Sequence, residues 1–283
     1  MSRTARLMDG TGLARRIVEE TAKQAADITE RTGTAPCLAT VLVGEDPASV
    51  TYVRMKRNRC RKAGIESRYV ALPAATTTAE LVDTLGALSR DPDVHGILLQ
   101  HPVGAHIDER AAFEAIAPEK DVDGVTLASF SAMSFGLPGF VSGTPGGIMR
   151  LLDEYDVAPA GQRAVVVGRS AILGKPVGML LLGRDATVTY CHSRTAELSS
   201  IVREADIVVA AVGRPRLIRG EDIKPGAVVI DAGYNPGNVG DVDFDGARER
   251  ASLITPVPGG VGPMTIATLL EQTVRAAARQ LEV

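Results

Sequence analysis

The sequence predicts an α/β protein of two domains, the second of them Rossmann-type. Three observations carry that expectation. Short, nearly all-apolar runs alternate with longer amphipathic stretches, the pattern of parallel strands buried on both faces and joined by crossover helices. The chain has 283 residues, enough for roughly two domains at about 150 residues each. Glycine is in excess at 29 residues, about 10% against a usual ~7%, which implies tight loops or close approach of backbone to a ligand.

Thr11 to Thr32 reads as an amphipathic helix, because Leu13, Ile17, Thr21, Ala25 and Ile28 step along one face. Leu38-Ala-Thr-Val-Leu-Val43, closed by Gly44, reads as a buried strand. Asp46-Pro47 opens a second helix that stops near Gly64. Arg68 to Leu72 (strand), Thr78 to Ser89 (helix) and Val94 to Leu99 (strand) continue the alternation. Residues 134–147 are rich in Gly, Pro and Ser and read as a domain junction. Beyond it Gly147 to Glu154 reads as a helix. A second series follows, with strands at Ala164 to Val167, Thr187 to Cys191, Ile207 to Val212 and Val228 to Asp231, and a helix from Val177 to Leu182. Met264 to Leu281 reads as a final long helix.

The formal net charge is −3, so no general attraction to nucleic acid or an anionic membrane is expected. Cys37, Cys60 and Cys191 are too few and too scattered for a disulfide framework or a CxxC pair. The first residues meet Asp9 without an apolar stretch, and no apolar run approaches the roughly 18 residues that span a bilayer. The expectation is a soluble, cytoplasmic protein.

Ala164-Val-Val-Val-Gly168-Arg-Ser170-Ala-Ile-Leu-Gly174 reads as strand, glycine turn and helix start. A dinucleotide turn needs small residues where backbone nears the pyrophosphate and a helix N-terminus facing its charge. Gly168, Ser170 and Gly174 give a G-x-S-x-x-x-G variant, which a ligand-free glycine turn would also satisfy. A phosphate-binding P-loop is excluded, because the spacing to Gly174-Lys175 is one residue too long and Pro176 replaces the metal-binding hydroxyl. After the next strand, Tyr190-Cys-His-Ser193-Arg194-Thr195 lacks the acid that binds the NAD ribose. Ser193 and Arg194, with Arg169 in the turn, suit a 2′-phosphate. NADP is favoured over NAD.

Tyr52 and Lys56 share a helix face at i, i+4. Short-chain dehydrogenases use such a pair, but downstream of their nucleotide turn; here it lies far upstream, which rules that family out. A solvated basic face is the plain alternative, since Arg54, Arg57, Arg59, Arg61 and Lys62 crowd the same helix. Gly96-Ile-Leu-Leu-Gln100-His101-Pro102 ends a buried strand with a polar residue where doubly wound sheets place ligand groups. Pro118-Glu-Lys-Asp121-Val-Asp123-Gly124 sets two carboxylates in a loop, either a turn and a helix cap or a ligand contact. Pro256-Val-Pro258-Gly-Gly260-Val-Gly262-Pro263 is a rigid loop, nearly free of side chains, suited to a flat ligand. His95, His101, His106 and His192 have no metal-site spacing, and no metal is expected.

With these segments assembled, the sequence resembles the bifunctional methylenetetrahydrofolate dehydrogenase/methenyltetrahydrofolate cyclohydrolase family. The matches run from Tyr52-Val-Arg-Met-Lys56 through Gln100-x-Pro102, Lys120-Asp-Val-Asp-Gly124 and Thr144-Pro145-x-Gly147 to Gly168-Arg-Ser170. They continue through Cys191-His-Ser-Arg-Thr195, Asp231-Ala-Gly-Tyr-Asn235, Gly240-Asp-Val242 and Thr255-Pro-Val-Pro-Gly-Gly-Val-Gly-Pro-Met-Thr265. The resemblance implies oxidation of 5,10-methylenetetrahydrofolate with NADP and hydrolysis of the methenyl product to 10-formyltetrahydrofolate. That places the chain in one-carbon metabolism and purine biosynthesis. It implies a central catalytic Lys56 tuned by Gln100, with Tyr52 lining the folate and Asp123 holding the pterin's amino edge. Val53, Leu99, His101 and the Pro258, Gly259, Gly260, Val261, Gly262 loop would border the substrate. Gly168, Arg169, Ser170, Ser193 and Tyr234 would contact the cofactor, with Arg194 beside them. The expected layout is a catalytic domain of residues 1–143 plus 265–283, an NADP-binding domain of residues 144–264, folate in the cleft between them, and a homodimer.

Departures bear on the hydrolytic step. Ser142-Gly143-Thr144 stands where the family usually has a Cys before the Thr, so no thiol chemistry is assigned there. His101 adds a titratable group beside Gln100, and Ala171 replaces a common Asn. A dehydrogenase with weak or absent cyclohydrolase is the alternative.

Overall fold

The computed structural model describes residues 4–283, apart from the side chain of Ala48. In chain order the elements are β1 (Arg6–Leu7), α1 (Gly10–Thr32), β2 (Cys37–Val43), α2 (Pro47–Lys62), β3 (Glu66–Leu72), α3 (Thr78–Arg90), β4 (Gly96–Gln100), α4 (Glu109–Glu114) and α5 (Leu127–Ser134). The second half contributes α6 (Gly143–Glu154), β5 (Arg163–Val167), α7 (Gly174–Leu182), β6 (Thr187–Cys191), α8 (Leu198–Val202), β7 (Ile207–Ala210), β8 (Val228–Asp231), α9 (Phe244–Arg248), β9 (Leu253–Ile254) and α10 (Val261–Gln280). Among the described residues no helix is long and apolar enough to cross a membrane.

The chain divides into two compact units. One contains a three-stranded parallel sheet in the order β3-β2-β4. Its central strand β2 is buried at every position, which explains why it reads as a nearly continuous apolar run. Local chemistry sets the helices around it. Asp46 accepts the Ser49 N–H at 2.8 Å to cap α2, with Pro47 in the first turn. Thr77 and Glu80 form a reciprocal capping box at the start of α3. Leu38, Ile65 and Leu98 pack with Ala25, Ile28, Cys60, Leu269 and Leu270 into one core.

The other unit is built on a six-stranded sheet in the order β1-β9-β8-β7-β5-β6, all parallel. The chain leaves β5 to one side for β6, then crosses back for β7, so the strand order reverses at β5. Such a reversal opens a crevice at the carboxyl ends of the flanking strands, here β5 and β7.

Some expectations meet a different arrangement. Arg6 and Leu7 pair with Leu253 and Ile254, so the segment ending at Arg15 groups with the six-stranded unit. Two-residue strands carry no periodicity to read. The expected 134–147 junction is shorter, because α6 begins at Gly143. The strand expected to reach Val212 stops at Ala210, because the Val212 N–H is taken by an Asp241 carboxylate oxygen at 2.7 Å. Val261 and Gly262 stand in the first turn of α10 rather than in a loop. All three cysteines are free and buried, Cys37 in β2, Cys60 in α2 and Cys191 in β6.

Candidate active site

In the three-stranded unit, α2 sets Tyr52 and Lys56 one turn apart, with the Lys56 Nζ 4.4 Å from the Tyr52 ring centroid. Lys56 is only 5% exposed, so the solvated-face reading fails for this lysine. β4 ends with Gln100, opposite Leu42 of β2. The Lys56 Nζ donates to Gln100 Oε1 at 3.0 Å, while Gln100 Nε2 donates to the His101 carbonyl at 2.9 Å. The second bond fixes the amide's orientation and leaves its oxygen for the lysine. Val53 and Leu99 are buried beside these groups in sequence.

Burial drives the Lys56 ammonium below its ordinary pKa, with Asp123 and Cys60 pulling the other way. Asp123 is half-buried, and desolvation pushes its carboxyl up to about 6, opposed by Lys56 and reinforced by Asp121. The same burial, with Asp123 nearby, raises the Tyr52 phenol to about 12. The two carboxylates of the loop therefore divide their roles. Asp121 is fully buried and accepts the N–H groups of Val125 (3.0 Å) and Thr126 (2.9 Å), which makes it the turn former. Asp123 acts electrostatically on Lys56 and Tyr52.

His101 packs edge-on against Phe113, ring centroids 6.2 Å apart. Desolvation lowers its pKa, Glu109 opposes that shift, and Lys56 adds to it, which keeps the imidazole neutral near pH 7. The departure at this position thus adds no cation beside Lys56.

In the six-stranded unit, Gly168 ends β5 with φ +133, and a Cβ there would overlap the Ala211 carbonyl. A Cβ on Gly174 would stand 2.5 Å from the Gly168 oxygen. This is a cradle that only glycine leaves open, so the turn fits a dinucleotide. Ser170 Oγ accepts the N–H groups of Leu173 and Gly174, both at 3.2 Å, at the start of α7. Beyond β6 the Thr195 hydroxyl accepts the His192 N–H (2.8 Å) and His192 Nδ1 accepts the Arg194 N–H (3.2 Å). That small turn presents Ser193 and Arg194 outward, and Arg169 and Ser170 are exposed as well. Tyr234, 69% exposed, follows β8 and donates its hydroxyl proton to Asn238 Oδ1 at 2.7 Å.

Pro258, Gly259 and Gly260 belong to this same unit. The Gly259 carbonyl accepts the Thr11 N–H at 3.0 Å, and the Gly260 N–H donates to the Pro256 carbonyl at 2.8 Å. Lys56, Tyr52, Gln100 and Asp123 are thus gathered in one unit, and the glycine cradle, Ser193, Arg194 and Tyr234 in the other. Asp231 and Asp241, which carry much of the second unit's loop structure, have no role in the sequence reading beyond their matching motifs. Apart from the Asn235 side chain, their partners are backbone N–H groups, which leave no residue signature. Among the described residues no group of three or more His, Cys, Asp or Glu stands together to hold a metal ion.

Residues 8–123 match the model of the tetrahydrofolate dehydrogenase/cyclohydrolase catalytic domain, and residues 142–281 match its NAD(P)-binding domain. The chain is 82% identical over 282 residues to the bifunctional protein FolD 1 of Streptomyces avermitilis, covering 100% of this chain and 98% of that protein. Its structure is similar to the crystal structure of the bifunctional enzyme FolD from Campylobacter jejuni, with a TM-score of 0.95 and 41% identity over 97% of this chain and 99% of that one. It is equally similar to FolD of Trypanosoma brucei complexed with NADP cofactor and inhibitor, with a TM-score of 0.95 and 40% identity over 99% of each chain. This chain belongs to the tetrahydrofolate dehydrogenase/cyclohydrolase family, with a catalytic and an NAD(P)-binding domain.

Proposed function

We propose that the protein oxidises 5,10-methylenetetrahydrofolate to the methenyl form with NADP and hydrolyses that product to 10-formyltetrahydrofolate. The observation that carries this reading is the buried Lys56–Gln100 hydrogen bond of 3.0 Å, with Tyr52 and Asp123 beside it. Bound NADP supplies the hydride acceptor. Residues 1–143 plus 265–283 would form the folate-binding domain and residues 144–264 the cofactor domain. The Tyr52 ring would lie against the substrate's aromatic system, and ionised Asp123 would accept from the donor-rich amino edge of the pterin. Val53, Leu99, His101 and residues 258–262 would border it.

In the hydrolytic step Lys56 as the free amine takes a proton from water while the water oxygen bonds to the methenyl carbon. The resulting ammonium returns that proton to the departing ring nitrogen as the carbon–nitrogen bond breaks, and the hydroxyl proton leaves to solvent. Gln100 Oε1 holds Nζ in place throughout. Absorbance of the methenyl product, followed with methylenetetrahydrofolate and NADP, tests the whole reading: the band should form and then decay. A band that forms and persists would overturn the hydrolytic half, and no band would overturn both.

Arg169, Ser170, Ser193 and Arg194 would receive the 2′-phosphate, with Gly168 and Tyr234 bordering the nucleotide. Neither arginine has an ion-pair partner among the described residues. A charge-assisted contact of about 1.5–3 kcal/mol corresponds to roughly 10- to 150-fold. kcat/KM for NADP should exceed that for NAD by such a factor, and equal values would refute the assignment.

Asp123 gives a pH signature. Its carboxyl, raised to about 6, is ionised above that pH and neutral below it. The folate KM should therefore climb as pH falls through 6. A flat folate KM between pH 7.5 and 5 would remove Asp123 from the binding site. A cytoplasmic homodimer supplying 10-formyl groups for purine biosynthesis completes the reading.

A further inference from the structure

Two buried carboxylates at the carboxyl ends of β7 and β8 take no part in the chemistry above. Asp241 is 0% exposed. Its Oδ2 accepts the N–H groups of Val212 (2.7 Å) and Gly213 (2.9 Å), and its Oδ1 accepts the Arg214 N–H (2.8 Å) and Asn235 Nδ2 (3.0 Å). Asp231, the last residue of β8, accepts the N–H groups of Gly233 (2.9 Å) and Asp241 (3.0 Å) on Oδ1 and of Val242 (2.9 Å) on Oδ2. Its own N–H donates to the Thr255 hydroxyl at 2.8 Å. Among the described residues neither carboxylate forms an ion pair. A buried charge without a counter-ion is tolerated only where hydrogen bonds replace its hydration. Here backbone N–H groups do so, and each such bond pins a stretch of main chain.

What is pinned lies at the strand reversal. Val212 to Arg214 leave β7 directly after Ala211, whose carbonyl occupies the space that a Cβ on Gly168 would need. Gly233 to Asn235 leave β8 with Tyr234 exposed between them. Gly233 and Gly240 have no side chain because Asp241 and Asp231 fill the space beside them. The whole knot sits in one unit, and the Lys56–Gln100 pair belongs to the other.

We propose that Asp241 is the positioning residue of the nucleotide site: it sets the Val212–Arg214 turn against the Gly168 cradle and fixes the segment bearing Tyr234, and Asp231 holds Asp241 in place. The inference rests on the reading of this crevice as the NADP site. Asp241 touches no cofactor in this scheme and acts through three main-chain N–H groups and the Asn235 side chain, as a supporting residue orients those that make contact.

Asp241→Asn keeps size and shape but replaces one carboxylate oxygen by an amide NH2, a donor that faces a pair of N–H donors. The expected result is a rise of tenfold or more in KM and Kd for NADP. Hydrolysis of methenyltetrahydrofolate without NADP should stay within about twofold of wild type. A change confined to folding would lower Tm and the active fraction and leave KM unmoved; that outcome overturns the proposal. Should Asp241→Asn fail to fold, Asn235→Ala decides, since it deletes one donor to Asp241 Oδ1. NADP KM should then rise severalfold, and an unchanged value overturns the proposal. Titration of the wild-type protein with NADP separates the two levels: no binding there defeats the site reading and the inference together, whereas wild-type binding with an unaffected variant defeats the inference alone.

Discussion

Lys56→Arg is expected to lose methenyltetrahydrofolate hydrolysis by roughly 10²-fold or more, the usual scale of a general acid–base contribution. The variant keeps the charge and most of the bulk, so it separates proton transfer from electrostatics. A guanidinium stays protonated at any working pH and cannot accept a proton from water. The lysine can, because burial, with only 5% of it exposed, lowers the ammonium's pKa while Gln100 Oε1 holds Nζ at 3.0 Å. Hydride transfer should suffer less, since it requires orientation rather than a base. Stopped-flow absorbance should therefore show methenyl product accumulating in the variant. Hydrolysis at the wild-type rate would reduce Lys56 to a binding charge and move water activation to another group.

Gly168→Ala should act on the other half-reaction with comparable force. Residue 168 sits at φ +133, a region L-residues rarely adopt, at a cost of order 1–3 kcal/mol. The new Cβ would also overlap the Ala211 carbonyl. That carbonyl is main chain, and the turn that follows it is held by Asp241, so it cannot swing aside as a flexible side chain could. The dinucleotide cradle must deform instead. We expect a Tm several degrees lower, on the order of 2–4 °C per kcal/mol for a domain of this size, and a more than tenfold higher NADP KM, with hydrolysis retained. An alanine variant with wild-type NADP kinetics would remove Gly168 from the cofactor site.

The fold was legible wherever burial imposes a pattern. β2 and β5 read directly because strands covered on both faces are nearly all apolar, and α1 read from the spacing of Leu13, Thr21, Ala25 and Ile28, all buried on one face. β1 and β9 escaped notice because two residues cannot display a period. The site was partly legible for the same kind of reason. Tyr52 and Lys56 are neighbours by helix geometry alone, whereas Gln100 meets Lys56 only because β4 lies beside β2, which no local spacing encodes. Asp121 and Asp123 looked alike as a pair of carboxylates. Their difference lies in which one the turn's N–H groups engage. Asp241 is the extreme case, a residue whose partners are nearly all main chain.

The placement of the three thiols turns the protein into its own gauge of motion. Cys37, Cys60 and Cys191 are at most 2% exposed, and burial raises all three pKa values, Cys60 to about 12. Alkylation needs an accessible thiolate, so the reagent must wait for the surrounding structure to open. Cys37 and Cys60 wait on the three-stranded unit and Cys191 on the six-stranded one. The labelling rate at each cysteine, read by peptide mass, therefore times the breathing of each half of the molecule separately, without a single engineered residue.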